Sequence, residues 1–302
     1  MNPSSVNFLL AVDGSRHSKA AADFLRDLPL SEGASVTVLG VVSTHQKADQ
    51  EPLQAVLEHT EQMLREVGAQ VDTQLKFGNP AEIVMVYAQD LNAELIVLGA
   101  KGRRATLGIL LGGVAQQVVE YANHPVAIIR APYEGLKRVL LVTDGSIYSQ
   151  RAVAYLAGTQ GEEKFPLPKD AELHVAHVLP PLTTPEPIAH AWPVGPEMLP
   201  PVPTEIPNEA SWKAEEEHHG QTILEQTLET LKAAGLQATS ALLRGDAATE
   251  IIDYAKVHQV DLIVAGSRGL SPVRSWLLGS VSRKIIHYAH CSTLIVKSKA
   301  QE

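Results

Sequence analysis

The chain has 302 residues, ordinary globular composition, one cysteine and a formal net charge of −9. That length fits about two domains with separate cores, and the acidic balance argues against a nucleic-acid partner, which needs a basic face. No apolar run approaches the roughly 20 residues of a membrane span, Asp13 breaks the first apolar stretch too early for a secretory leader, and a lone Cys291 forms no internal disulfide, so a cytoplasmic location is expected.

In chain order, the apolar run Phe8-Leu-Leu-Ala-Val ends in Asp13 and predicts a first strand over 6–12. A helix follows over 16–28, with Ser15 of the Asp-Gly-Ser turn suited to its N-cap. Strands at 35–42 and 70–76 enclose a helix at 52–67, and another helix is expected at 80–91. The strand at 94–98 contains Leu95-Ile-Val-Leu98, apolar on both faces, which is the mark of a covered parallel sheet. Next come Gly99-Ala-Lys-Gly102, nine residues, and Gly112-Gly113-Val114. They lead into a helix at 112–122 and a last strand at 125–130.

The same grammar is then written again. Val139-Leu-Leu-Val-Thr-Asp144-Gly-Ser146 matches the first strand and its turn, and Arg244-Gly-Asp-Ala-Ala248 answers Phe77-Gly-Asn-Pro-Ala81. Asp261-Leu-Ile-Val-Ala-Gly266-Ser-Arg-Gly269 is again followed by nine residues and then Gly279-Ser280-Val281. A repeat of this length means one fold used twice. We place the domains at 1–134 and 135–302, with a short linker near 131–137. The second copy is 36 residues longer between its strand-end Asp and its glycine loop. Pro180 to Pro207 holds ten of the 19 prolines, which predicts a surface loop inserted at about 180–208. Five strands alternating with four helices give an α/β class: two doubly wound, five-stranded parallel-sheet domains of strand order 3-2-1-4-5. The last strands, Val126–Ile129 and Thr293–Val296, would be bare apolar edges. Pairing with each other about a pseudo-two-fold axis covers both and leaves other surfaces for a homo-oligomer.

In such sheets ligands sit beyond the carboxyl ends of the strands, where the winding reverses. Asp13 and Asp144 end the first strand of each copy, Gly99 and Gly266 the fourth, so both features face one crevice. Glycines 99, 102, 266 and 269 can take positive φ and admit a phosphate close to backbone N–H groups. The helices opening at Gly112-Gly113 and Gly279-Ser280 offer free amides and a positive dipole end, and Ser280 adds a hydroxyl. The plainer reading is that these glycines only make tight strand–helix turns. The histidines suggest no metal site: His218 and His219 point about 100° apart on a helix, and His174 and His177 face opposite sides of a strand. His290-Cys291 reads as turn and core. Ser15 and Ser146 lack an evident base and suit N-caps rather than nucleophiles.

The pattern Gly, two residues, Gly, nine residues, Gly-Ser/Thr resembles the ATP-binding signature of the universal stress protein family. The strand-end Asp-Gly-Ser and the Asp/Glu-Leu-Ile-Val before each loop share that resemblance. It covers nearly the whole chain, as a tandem of two family domains with the adenine nucleotide α-hydrolase-like fold. The resemblance implies an adenine nucleotide, ATP with Mg²⁺, held in the second domain by Gly266, Ser267, Arg268, Gly269, Gly279, Ser280 and Val281. Asp144 would lie near base and ribose, and the backbone of Val178 at the adenine edge. The matching first-domain positions are Asp13, Val41, Gly99, Lys101, Gly102, Gly112, Gly113 and Val114. Gly113 stands where the family has Ser or Thr. Losing a hydroxyl contact to a charged phosphate costs on the order of 1.5–3 kcal/mol, so the second site is expected to be the stronger, with Lys101 and Arg103 placed to compensate in part. The implied role is a nucleotide-dependent regulator or sensor in the stress response. Two other readings stay open. A slow ATPase or nucleotide hydrolase is one, although no Gly-x-x-x-x-Gly-Lys-Ser/Thr and no paired general base are present. A structural interaction module with a degenerate first site is the other.

Overall fold

A computed structural model of the chain describes residues 6–31, 34–43, 50–103, 110–159, 164–182, 209–270 and 278–297. The first unit runs β1 (Asn7–Val12), α1 (Arg16–Asp27), β2 (Ser35–Val42), α2 (Gln50–Glu66), β3 (Gln70–Phe77), α3 (Pro80–Asp90), β4 (Leu95–Gly99), α4 (Gly113–Tyr121) and β5 (Val126–Ile129). The second repeats it as β6 (Arg138–Val142), α5 (Ile147–Ala157), β7 (Glu172–Leu179), α6 (Glu209–Ala233), β8 (Ala238–Arg244), α7 (Ala247–Val257), β9 (Leu262–Gly266), α8 (Ser280–Tyr288) and β10 (Ser292–Val296). Most of the expected proline-rich insertion, residues 183–208, lies outside the described residues, as does Arg104 in the first glycine loop.

All ten strands form one sheet in the order β3-β2-β1-β4-β5-β10-β9-β6-β7-β8. Each half therefore has the expected 3-2-1-4-5 order. Pairing within a unit is parallel, with Ala11 opposite Leu98 where β1 meets β4. The halves join through β5 and β10, which run antiparallel with Ile128 opposite Thr293, Ala127 opposite Leu294 and Val126 opposite Ile295. Ala127 and Leu294 are counterparts in the repeat, so the pseudo-two-fold axis passes between them. The expected edge pairing is what the structure contains.

Burial explains why these runs are strands. β4, β5, β9 and β10 are covered by helices on both faces, and Leu95, Ile96 and Val97 have no exposed surface, as continuous apolar runs in parallel sheets require. On one face α1, α2, α5 and α6 cover a core that runs unbroken through both units, including Phe24, Leu64, Tyr155 and Leu224. On the other face Ala265, Leu278, Ile286 and Ile295 from the second unit join the first unit's cluster around Ile96, Val118 and Ile128. The two domains share hydrophobic core as well as backbone hydrogen bonds.

Candidate functional site

Each crevice is built from the Asp-Gly-Ser turn after the first strand and the glycine loop after the fourth. Asp13 Oδ1 accepts from the Ser15 amide at 2.9 Å and Oδ2 from the Arg103 amide at 3.0 Å. Ser15 Oγ caps α1 by accepting from the Ser18 amide and donates to the Lys101 carbonyl at 3.1 Å. In the second unit Asp144 accepts from the Ser146 amide at 3.0 Å and from the Leu270 amide at 3.1 Å, while Ser146 caps α5. The strand-end carboxylate thus staples turn to loop, one oxygen for each. Gly14 and Gly145 make the turn possible at φ +76°, a left-handed value that only glycine adopts without strain.

The glycines of the loops do not use the positive φ open to them. Gly99, Gly102, Gly266 and Gly269 are not among the positive-φ residues described. They are glycines because a Cβ would have nowhere to go. At Gly99 it would lie 2.6 Å from the His17 carbonyl carbon, and at Gly266 2.5 Å from the Tyr148 carbonyl oxygen. At Gly102 and Gly269 it would meet the stapling carboxylates of Asp13 and Asp144 at 2.7 and 2.5 Å. Close approach of strand, helix and loop sets these residues, a use of glycine distinct from left-handed turns. Gly113 differs, because a Cβ there would meet open space.

Six helices have a described N-cap. Ser15, Asn79, Ser146 and Asp246 cap α1, α3, α5 and α7 through their side chains. The other two, α4 after Gly112 and α8 after Gly279, have no side-chain cap. Those are the two helices that open on the crevices. Their caps are pinned by backbone bonds from Gly112 to the Ala100 carbonyl and from Gly279 to the Ser267 carbonyl, while the first-turn amides keep the free donors that make helix starts attract anions.

The first crevice is a cavity of about 730 Å³, and Asp13, Val41, Gly99, Lys101, Gly102, Gly112, Gly113 and Val114 all line it. The second has about 210 Å³ and is lined by Asp144, Val178, Gly266, Arg268, Gly269, Gly279, Ser280 and Val281. Ser267 is the exception: it is buried and not part of the lining. Arg268 is held by Tyr148, donating to its hydroxyl at 3.1 Å with the guanidinium 5.3 Å from the ring centre. Sequence reasoning missed Leu53, Pro80 and Val84, which wall the first crevice from α2 and α3. Pro80 lies in the Phe77–Ala81 motif, so its repeat was a usable signal.

It also missed the junction beneath the crevices. Arg130 donates to the Leu110 carbonyl at 3.0 Å and across the domains to the Ile286 carbonyl at 2.7 Å. Lys297, its counterpart, donates to the Glu120 and Ala122 carbonyls at 3.0 and 2.7 Å. Each unit's last strand thus delivers a cation to the C-terminal end of the other unit's crevice helix, where the dipole favours positive charge. Burial nevertheless pulls the Lys297 ammonium down to about 8.

Two of the histidines have hydrogen-bond partners close by. His174 Nδ1 meets the Tyr254 hydroxyl at 3.0 Å, and His177 Nδ1 donates to the Thr143 carbonyl at 2.8 Å. His218 and His219 are exposed. Among the described residues no group of three or more His, Cys, Asp or Glu could hold a metal ion, and no helix is long and apolar enough to cross a membrane.

The family model described as the universal stress protein family matches residues 6–130 and again 135–297. A universal stress protein of Methanocaldococcus jannaschii is 28% identical over 179 residues, covering 58% of this chain and 91% of that protein. One from Bacillus subtilis is 42% identical over 78 residues, covering 26% of this chain and 53% of that protein. The solved structure of a universal stress protein from Archaeoglobus fulgidus superposes with a TM-score of 0.63 at 21% identity, covering 98% of this chain and 97% of that one. A functionally unknown protein from Pseudomonas aeruginosa gives 0.64 at 13%, covering 98% and 94%. At such identities the structural likeness speaks for the fold.

Proposed function

The chain belongs to the universal stress protein family, and from that footing we propose that it binds ATP and acts as a nucleotide-dependent regulator in the stress response. The observation that carries this reading is the selective absence of side-chain caps on α4 and α8, the two helices that open on the glycine-loop crevices. In the first crevice the amides at the start of α4 would take the phosphates, Lys101 would add charge, and Val41, Leu53 and Val84 would form an apolar slot for the base. Mg²⁺, carried in on the phosphates, would neutralise part of their charge.

We propose the reverse of the expected ranking of the sites. The Ser280 hydroxyl favours the second crevice by about 1.5–3 kcal/mol. Burying the base of a nucleotide, about 150 Å² at 25 cal/mol/Å², is worth about 4 kcal/mol, and ligand sites run from about 300 Å³ upward. Only the first crevice, at about 730 Å³, has that room. We therefore assign the nucleotide to the first crevice.

Binding without turnover fits the described lining residues, among which the carboxylates are Asp13 and Asp144 and there is no histidine. Both acids are engaged as staples, so among the described residues neither lining presents a free general base. The regulatory part rests on Arg130, which ties the loop carbonyl of Leu110 to the second domain. A cytoplasmic setting agrees with the buried Cys291 thiol.

The test is calorimetric titration with ATP and Mg²⁺ of the wild-type chain and of Gly102→Val, whose side chain would press on Asp13 and the loop. Micromolar or tighter binding abolished by the substitution supports the reading. No heat of binding in the wild type, and no adenine nucleotide found by mass spectrometry in the purified protein, would overturn it.

A further inference from the structure

The two crevices share their glycine-loop half and differ in the other. In the first unit the wall continues from Val41 through Val42 and Ser43 to Leu53 on α2. Their counterparts Leu179, Pro180 and Gly220 are not part of the second crevice. The lost volume is therefore localised to the carboxyl end of β7, where it faces the N-terminal half of α6.

Next to that place, between the ends of β7 and β8 and α6, is a clasp. Arg244, the last residue of β8, donates through Nη1 to the Pro180 carbonyl at 3.2 Å and to Glu216 Oε2 at 3.0 Å. Through Nη2 it donates to Glu217 Oε1 at 3.2 Å. A guanidinium fork engaging two carboxylates and a carbonyl fixes direction as well as distance. Its side chain is 20% exposed. The counterpart in the first unit is Phe77, which is 49% exposed and has no charge to clasp with. Packing reinforces the difference. A Cβ on Gly220 would lie 2.9 Å from Leu179 and 3.0 Å from the His177 ring, so α6 rests directly on the end of β7. In the first unit the bulk is exchanged, with Leu53 of α2 seated over Gly40 and itself lining the crevice.

We propose that Arg244 decides how many nucleotides the chain carries: by clasping the N-terminal turns of α6 to the end of β7 it closes the base-facing half of the second crevice. The inference rests on the reading of the first crevice as a nucleotide site. The wild-type chain then binds one ATP. Releasing the clasp opens a second site, served by the uncapped amides of α8 and the Ser280 hydroxyl.

The test counts sites by calorimetry on the full chain with ATP and Mg²⁺. One site is expected in the wild type, two in Arg244→Gln, and one again in Arg244→Gln combined with Gly269→Val, which fills the second glycine loop. The pair Glu216→Gln and Glu217→Gln releases the clasp from its other side, so it should also give two sites should Arg244→Gln fail to fold. A gain of binding is not something that mere loss of structure produces. Two sites in the wild type, or one site in both the wild type and the clasp variants, would overturn the inference while leaving the first crevice intact. No binding in the wild type would take down the nucleotide reading itself and this inference with it.

Discussion

Gly113 is the residue at which the two crevices can be compared most directly. Its counterpart is Ser280, and a Cβ built on Gly113 meets nothing within 4 Å, so Gly113→Ser adds a hydroxyl at the helix start without strain. If phosphates lie there, the added donor is worth about 1.5 kcal/mol, roughly tenfold in affinity. Calorimetry on the variant should show that gain at the first site, and an unchanged dissociation constant would mean that no phosphate reaches the start of α4. Gly99 is the opposite case. The backbone of His17 stands 2.6 Å from a Cβ there, and backbone yields little, so Gly99→Ala should lower stability by about 2 kcal/mol or more. A thermal melt with an unchanged midpoint would refute the close-approach explanation of the loop glycines. Cys291 gives a third check: burial raises its thiol to about 12. At pH 8 it should ignore aromatic disulfide reagents until denaturant is added, because the thiolate is the reactive species.

At the scale of elements, the strand and helix runs expected for the first unit lie within two residues of those found. They were legible because apolar runs buried on both faces leave little choice of structure, and because a duplicated motif excludes chance. The glycine-loop side of each crevice was legible for the same reason, Ser267 apart, whereas the walls that Leu53, Pro80 and Val84 bring from α2 and α3 were not. Illegible were properties that arise only when distant segments touch. Nothing near Arg130 or Lys297 in the sequence announces that each caps a helix of the other unit. Nothing near Arg244 announces Glu216. The glycines were located, but which of two causes set them was not legible, since positive φ and close approach leave the same residue in a sequence. Lys297 turns one such contact into a measurement. Its folded-state value is lowered from 10.5 to about 8, chiefly by burial. Between those values the unfolded chain holds the proton and the folded one does not, so stability should rise with pH across that window, and the full penalty applies below 8. The ceiling is about 3 kcal/mol. Lys297→Met should lack this rise in urea titrations from pH 8 to 10, and a parallel rise in the variant would exclude Lys297 as its source.

For the whole molecule, the decisive surface is the seam between β5 and β10. Val126, Ala127, Ile128 and Ile129 are essentially unexposed in the intact chain, and the strand pairs with its own counterpart, Ala127 facing Leu294. A surface that meets its own repeat across a two-fold axis is self-complementary in kind, so each half carries the information for a symmetric dimer. Joining the halves through the short segment after Arg130 replaces a bimolecular equilibrium with an intramolecular one, at an effective concentration on the order of millimolar. A fragment of residues 1–134 has lost that tether and exposes the edge of β5, which is apolar and unpaired. It should dimerise, β5 against β5 with Ala127 on the axis, and sedimentation equilibrium should show its mass rising with concentration. Ala127→Pro, which removes a backbone donor from the pairing strand, should return the fragment to monomer. The same substitution in the intact chain should cost stability while leaving its mass unchanged. A fragment that stays monomeric at high concentration would mean that the seam depends on a feature of the second unit with no equivalent in the first, such as Thr293 opposite Ile128, where the first unit has Val126.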